Sequence, residues 1–165
     1  MSKTPGFMLG FALLMASATA YADKLGLPAD APPAFQAECA SCHLAFPPQL
    51  MAAEDWKRVM ASLDKHYGDN ATLDEKTRRI LEDFLVRNAG KPSKVGAGRT
   101  AGPGELPRIT TGSWFKRKHH EVAQADWHHA KVKTPANCTA CHTKAADGSY
   151  REREIVMPDG RKWED

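Results

Sequence analysis

The stretch Cys39-Ala40-Ser41-Cys42-His43 (the first motif) constrains how the rest of this chain of 165 residues can fold. Two thiols three residues apart, followed directly by an imidazole, are the spacing that attaches a c-type haem covalently. The two sulfurs form thioethers to the porphyrin, and the histidine ligates the iron from the proximal side. The pattern recurs at Cys138-Thr139-Ala140-Cys141-His142 (the second motif). The sequence therefore predicts two covalently bound haem c groups, with His43 and His142 as proximal ligands.

All four cysteines of the chain lie in these two motifs. Four cysteines in an exported protein would ordinarily suggest two disulfides. A thioredoxin-type Cys-x-x-Cys would follow a strand, which the flanking sequence does not indicate. A zinc site would place its histidines a few residues apart beyond a longer gap, not directly after a cysteine. Haem attachment through Cys39, Cys42, Cys138 and Cys141 is the interpretation that uses every thiol.

The first 22 residues have the composition of a secretory signal peptide. Lys3 supplies positive charge, residues 6–16 are apolar, and Ala20-Tyr21-Ala22 is a small-residue cleavage site. The apolar run is too short to span a bilayer. We therefore expect cleavage before Asp23, export to the periplasm, and no stable membrane insertion of the mature chain.

The charge of the chain is nearly balanced, with 23 Lys and Arg against 20 Asp and Glu. A nucleic-acid partner is therefore not expected. The main basic run is Lys116-Arg117-Lys118. Such a run suits a solvated helix face, pairing with haem propionates, or steering of an acidic redox partner.

The hydrophobic pattern predicts a mainly α-helical protein. Residues 90–107 are rich in Gly and Pro and have no hydrophobic period, which is typical of a linker. We expect an N-terminal haem-binding lobe over residues 23–89, this linker over residues 90–107, and a C-terminal haem-binding lobe over residues 108–165, with long irregular connections. Helices are predicted over about residues 34–43, 52–67 and 72–88, from Ser113, and from Thr134-Pro135 through the second motif. The stretch Thr72-Leu73-Asp74-Glu75 has the Ser/Thr-x-x-Glu form of a capping box, and the inner face of the helix that it starts is expected to comprise Leu73, Ile80, Leu81, Phe84 and Leu85.

Each lobe is small, so we expect the haems to form most of the core. The aromatic side chains expected to pack around the porphyrins are Trp56, Phe84, Trp114 and Phe115. The apolar residues of the tail, Tyr150 and Ile155-Val156-Met157, are expected to form a short extended piece against the second haem.

The sixth ligand of the first haem is sought on the predicted helix 52–67. His66 lies three residues after Leu63, on the apolar face of that helix, where a buried imidazole needs a partner. The alternatives are Met51, Met60 on the same face, or an open position that would admit oxygen or peroxide. His66 is favoured because it lies beside Gly68, where the helix is expected to end.

The candidates for the sixth ligand of the second haem are His119, His120, His128 and His129. Neighbouring residues on a helix point about 100° apart, so one of each adjacent pair faces the iron. His119 lies four residues after Phe115 and three before Val122, on the apolar stripe. His120 lies on the flank of that stripe and is the second choice. The later pair follows Trp127 and remains open.

Taken together, these features resemble the small soluble periplasmic dihaem cytochromes c, the type associated with a high-spin oxygen-binding monohaem cytochrome. The matching residues of the first half are Cys39 to His43, Phe46-Pro47-Pro48, Trp56, Met60, Leu63 and His66-Tyr67-Gly68. Those of the second half are Arg108-Ile109-Thr110, Trp114-Phe115, Arg117-Lys118-His119, Glu121-Val122, Asn137 to His142, and Gly148. The resemblance implies two low-spin haems with bis-histidine ligation, and distal ligands at His66 and His119. The adjacent His120 departs from the single histidine expected there.

The function expected from this pattern is electron transfer to a partner redox protein, itself a periplasmic haem protein, with no catalytic residue. Two filled axial positions leave substrate chemistry to the partner. Histidine ligation also predicts potentials below those of a His/Met cytochrome. The rival functions are a small dihaem peroxidase with one open haem site, and the dihaem electron-entry subunit of a periplasmic reductase.

Overall fold

The computed structural model describes residues 25–96 and 104–164. The expected signal peptide and the middle of the Gly/Pro-rich segment lie outside them. The described chain contains α-helices and 3₁₀ turns with two isolated β-bridges, which confirms the mainly helical prediction. The helices are α1 Pro33–Cys39, α2 Ala53–Met60, α3 Glu75–Arg87, α4 Pro92–Val95, α5 Ser113–Lys118 and α6 Gln124–Trp127. The 3₁₀ turns are Pro48–Leu50, Leu63–Lys65, Ile109–Thr111, Cys138–Ala140, Ala145–Asp147 and Glu152–Glu154.

Helices α1, α2 and α3 enclose an apolar core in the N-terminal half. Phe35 of α1 meets Phe84 of α3 edge to face, with ring centroids 5.0 Å apart. Leu81 and Leu85 complete the inner face of α3, whereas Ile80, predicted on that face, is 43% exposed. Burial of each large apolar side chain contributes about 1.5–3 kcal/mol. This half therefore has an apolar core of side chains in addition to whatever the haem contributes.

Helix α2 ends at Met60, so the predicted helix over residues 52–67 is wrong in its second half. The chain instead forms a 3₁₀ turn and folds back, with the Ala71 amide donating to the Leu63 carbonyl at 2.8 Å. Tyr67 and Gly68 have φ values of 53° and 109°, which an α-helix cannot contain. His66 therefore lies in a turn, and the residues from Val59 to His66 do not form one continuous amphipathic helix.

Helix α3 begins three residues later than predicted. Asp74 is its N-cap, and one carboxylate oxygen of Asp74 accepts a hydrogen bond from the Thr77 amide at 3.1 Å. Thr72 instead donates from its hydroxyl to the Asn70 side chain at 2.6 Å. The Ser/Thr-x-x-Glu pattern predicted the correct helix. Asp74 caps it instead of Thr72, so the helix begins later than the pattern indicates.

The Gly/Pro-rich segment contains the one-turn helix α4, which the sequence did not indicate. Gly90 enters this segment with its amide donating to the Met51 carbonyl at 2.8 Å. Gly96 ends α4 with φ +82°, and a Cβ there would lie 2.6 Å from the Ser113 hydroxyl oxygen. The positive φ and the short distance to Ser113 both require glycine. Because Gly96 has no side chain, α4 can pack closely on the start of α5.

The second motif does not lie on an α-helix, so that prediction is wrong. The Thr134 hydroxyl accepts from the Ala136 amide at 3.1 Å and forms a local turn, and the motif itself contains only a 3₁₀ turn. The tail follows the motif, with the Val156 amide donating to the Cys141 carbonyl at 3.1 Å. Val156 also forms an isolated bridge with Lys162, so a short extended piece is present where it was expected.

Candidate haem-binding sites

The four cysteines are free thiols in the structure. Cys39 is the last residue of α1 and is half-buried, whereas Cys42 is exposed in the following turn. Burial raises the pKa of Cys39 and of Cys138 to about 11 in each case, and it also raises the pKa of Cys141. The thiols are unpaired with one another, which fits thioether formation rather than two disulfides.

His43 and His66 face each other in the first site. Their ring centroids are 6.1 Å apart, and the ring planes differ by only 15°. A metal–imidazole bond of about 2 Å, added to the radius of each ring, separates two imidazoles across one metal ion by about 6 Å between centroids. The His43 Nδ1–H lies 2.7 Å from the Leu44 carbonyl oxygen, to which it can donate. That bond would leave Nε2 with a free lone pair, the arrangement usual for a metal-ligating histidine.

His66 has a buried Nδ1 atom with no hydrogen-bond partner among the described residues. Burial lowers the pKa of His66 below its ordinary value, and the neighbouring His43 lowers it further. The imidazole is therefore neutral near pH 7, as a ligand must be. Unlike His43, His66 therefore has no second-ring-nitrogen hydrogen bond within the described residues, and its buried Nδ1 requires a partner from outside them.

The turn that carries His66 is fastened by what we term the Tyr67 clamp, composed of Tyr67, Pro107 and Arg108. The Tyr67 hydroxyl donates to the Pro107 carbonyl, and the Arg108 guanidinium lies 4.6 Å from the centroid of the Tyr67 ring. The Tyr67 ring also meets the His66 ring edge to face, with centroids 4.8 Å apart. The turn that carries His66 is therefore held by contacts with residues 40 positions later in the sequence rather than by the hydrogen bonds of a helix.

Met51 and Met60, the alternative ligands of the first haem, both belong to the buried apolar core. Trp56 lies in the same core, and its indole N–H donates to the Pro48 carbonyl at 2.7 Å. Phe84 is fully buried and packs edge to face on Phe35 of α1. Phe46, which was not singled out for packing, stacks on His43 with centroids 5.0 Å apart.

An apolar cavity occupies the C-terminal half and contains the second motif in its wall. The residues that line it include Cys138, Cys141, His142, His119, Trp114 and Trp163. Ile155 and Met157 from the tail line the same cavity, as expected. A flat apolar group attached to both cysteines would therefore be enclosed by aromatic and aliphatic side chains.

His119 and His142 face each other across this cavity. Their ring centroids are 6.1 Å apart, the same spacing as in the first site, but the ring planes differ by 80°. His119 lies directly after α5, and its Nδ1–H can donate to the Phe115 carbonyl at 2.9 Å. Burial lowers the pKa of His119 and lowers that of His142 to about 4. Both rings are consequently neutral and can supply a nitrogen lone pair to a metal.

The other histidines lie away from this pairing. His120 is exposed, with its Nδ1–H able to donate to the Arg117 carbonyl at 3.0 Å. His129 accepts a hydrogen bond at Nδ1 from the Lys131 amide at 3.2 Å, and His128 is exposed. Of the four histidines considered for the second haem, His119 is the one whose ring the structure brings against His142.

Residues 35–150 match the family model described as dihaem cytochrome c. The chain belongs to the dihaem cytochrome c family. It is similar to the dihaem cytochrome c of Shewanella baltica OS155, at 32% identity and a TM-score of 0.68, over 80% of this chain and 97% of that one. It is also similar to the dihaem cytochrome c of Rhodobacter sphaeroides, at 40% identity and a TM-score of 0.61, over 73% of this chain and 98% of that one. No curated protein matches the sequence.

This dihaem cytochrome c is therefore an electron-transfer haem protein that binds two haem c groups. The two motifs and the two facing histidine pairs fit those groups by their thiols, their ring spacing and their orphaned ring nitrogens. No helix among residues 25–96 and 104–164 is long and apolar enough to cross a membrane.

Two features of the cytochrome's sites were missed at the level of sequence. The first is the Tyr67 clamp, which joins residues remote in sequence; the dipeptide Tyr67-Gly68 was the only local sign of a turn. The second is the contact of Tyr150 with the proximal histidine of the second site: the Tyr150 ring lies 5.2 Å from the His142 ring between centroids. Its hydroxyl is buried with no partner in the described part of the chain, and burial raises its pKa above the ordinary value.

Proposed function

We propose that the protein is a periplasmic electron carrier in which both haems have two histidine ligands. His43 and His66 would hold the first iron, and His142 and His119 the second. The observation that supports this assignment is the matching separation of the two histidine pairs, 6.1 Å between ring centroids in each. When bound, haem c supplies a reversible one-electron couple of its iron.

The side chains around each pair suit a carrier better than an enzyme. Both axial positions would be filled by neutral imidazoles, so no coordination site is left for oxygen or peroxide. The cavity at the second motif is lined mainly by apolar and aromatic groups such as Trp114 and Trp163. Histidine on both sides also favours lower potentials than a His/Met pair would give. The partner we propose is another periplasmic haem protein that accepts the electrons.

The test of this function is the response of the reduced protein to carbon monoxide. We expect its absorption spectrum to remain that of two low-spin ferrous haems, because neither iron has a free position. The His66→Ala variant is the positive control, since it should bind carbon monoxide at one haem. Ready binding by the wild-type protein would contradict the carrier function and favour a dihaem peroxidase.

The Tyr67 clamp gives a second prediction about the first site. Tyr67→Phe removes the hydroxyl bond to the Pro107 carbonyl, which is worth about 1 kcal/mol and therefore about a fivefold change in an equilibrium. We expect His66 to dissociate more readily, so that carbon monoxide binds the reduced first haem about fivefold faster in stopped-flow measurements than in wild type.

Tyr150→Phe is the matched control for that variant, because it removes a buried hydroxyl from the other site. It should leave carbon monoxide binding at the first haem unchanged. If Tyr67→Phe behaves like wild type while His66→Ala binds carbon monoxide, the clamp does not position the ligand.

A further inference from the structure

Five exposed basic side chains form one surface on α4 and α5. They are Lys91, Lys94, Lys116, Arg117 and Lys118, and we term them the basic surface. The two segments that carry them, residues 91–96 and 113–118, contain no Asp or Glu. Within the described residues, none of the five makes an ion pair with a carboxylate. The positive charge of this surface is therefore not neutralised locally.

The charged, solvent-exposed face of helix α3 provides a comparison, because its arginines form ion pairs. Arg78 pairs with both Glu75 and Glu82, and Arg79 pairs with Glu75. Opposite charges three and four residues apart cancel the net field of such a face. On the basic surface no such ion pair is formed among the described residues, although Glu121 lies three residues after Lys118. The field of these charges extends into solvent for about a Debye length, ~8–10 Å at physiological salt.

The basic surface is also held together as a unit. The Arg117 guanidinium donates to the Lys94 carbonyl at 3.3 Å, which joins α5 to α4. The close approach of Gly96 to Ser113 holds the ends of the same two helices together. Two short elements from either side of the Gly/Pro-rich segment are therefore in contact, and their charges lie close to one another around the junction.

This surface adjoins the second haem-binding site. Lys118 lines the same cavity as His119 and His142, and His119 follows it directly in the chain. A partner in contact with Lys118 would accordingly lie at the mouth of the cavity that holds the second haem. Short distance and opposite charge are what a transient redox complex needs.

We propose that the basic surface is the docking site for the acidic face of a redox partner protein, which exchanges electrons with this protein at the second haem. The inference rests on the proposed carrier function and adds the chemistry of the partner and the site of contact. A protein partner is favoured over an anionic membrane because Lys118, one of these charges, lines the cavity of a redox site, where a lipid surface would only obstruct access.

The experiment uses the holoprotein, the variant Lys116→Glu/Lys118→Glu, and the control Lys57→Glu/Lys76→Glu. Both variants change the net charge equally, but the control places its charges on α2 and α3.

The reduced proteins are oxidised in stopped flow by ferric EDTA, an anion, and by hexaammineruthenium(III), a cation. Each oxidant accepts one electron per ferrous haem oxidised. We expect the first variant to react about tenfold more slowly with ferric EDTA and faster with the ruthenium complex. The control should change either rate by less than about twofold at the same ionic strength.

Binding supplies a readout that does not depend on electron transfer. Poly-glutamate, titrated calorimetrically, should bind the wild-type protein and the control but bind Lys116→Glu/Lys118→Glu at least about tenfold more weakly at low salt. Equal effects of the two variants on binding and rates would overturn the proposal, because net charge alone would then explain them. Loss of phosphatidylserine-vesicle binding in the first variant, with unchanged ferric EDTA rates, would also overturn it. The low-spin spectrum of each variant reports separately on the carrier function.

Discussion

Replacing Cys138 and Cys141 together by alanine is expected to reduce the covalent haem content from two per chain to one and to unfold the C-terminal half. Few large apolar side chains of this half are buried without the cofactor, Phe115, Val132 and Met157 among them. Its helices α5 and α6 are also very short. Isolated helices of this length are unstable in water, so the bound group must supply much of the stabilisation.

The measurement combines mass spectrometry, which counts covalent haems, with amide hydrogen exchange over residues 104–164. Protection of that segment should fall to the level of an unfolded chain. The matched control is Cys39→Ala/Cys42→Ala, which should also lose one haem. It should keep protection in α3, because Phe35, Leu81, Phe84 and Leu85 form a core that does not depend on the cofactor.

Two outcomes would contradict this prediction. If either double variant retains two covalent haems, the motif concerned is not the attachment site. If the C-terminal half keeps its protection after losing its haem, the cavity is preformed and the cofactor is not part of its core.

Replacing His119 by alanine is expected to convert the second haem from low spin to high spin. His119 is the ring that faces His142, and its Nδ1–H is directed to the Phe115 carbonyl. No nearby side chain replaces it, since His120 is exposed and directed to the Arg117 carbonyl. The ferric absorption spectrum should show one high-spin and one low-spin haem, and the reduced variant should bind carbon monoxide at one haem.

His120→Ala is the matched control, because it removes an imidazole one residue away. It should leave both haems low-spin. If only His120→Ala produces a high-spin haem, the ligand is shifted by one residue from our assignment. If neither does, His128→Ala and His129→Ala would identify the ligand.

Much of the site could be predicted from sequence because its chemistry is local. The two Cys-x-x-Cys-His motifs each lie within five residues, and their spacing specifies haem attachment without knowledge of the fold. The inner face of α3 was also correctly placed at Leu81, Phe84 and Leu85 by helical periodicity. His119 was singled out by its spacing from Phe115, and the structure places these two rings 4.0 Å apart between centroids.

The predictions that the structure contradicts concern elements whose conformation depends on contacts between residues distant in sequence. The apolar spacing of residues 52–67 suited one long helix, but the return of the chain at Ala71 and the Tyr67 clamp favour a turn. Thr134-Pro135 resembles a helix start, yet the Thr134 hydroxyl accepts from the Ala136 amide, and the motif that follows forms only a 3₁₀ turn. Helix α4 is fixed by packing on α5, which no local pattern in a Gly/Pro-rich segment reveals.

The electron paramagnetic resonance spectrum of the fully oxidised protein tests the central claim most directly. Two histidine ligands at each iron predict two low-spin ferric signals and no high-spin signal. Because the imidazole planes differ by 15° in the first pair and by 80° in the second, the two signals should also differ in anisotropy. A high-spin ferric signal equivalent to one haem per chain would contradict the account, since it would show an iron with an open or weakly held sixth position.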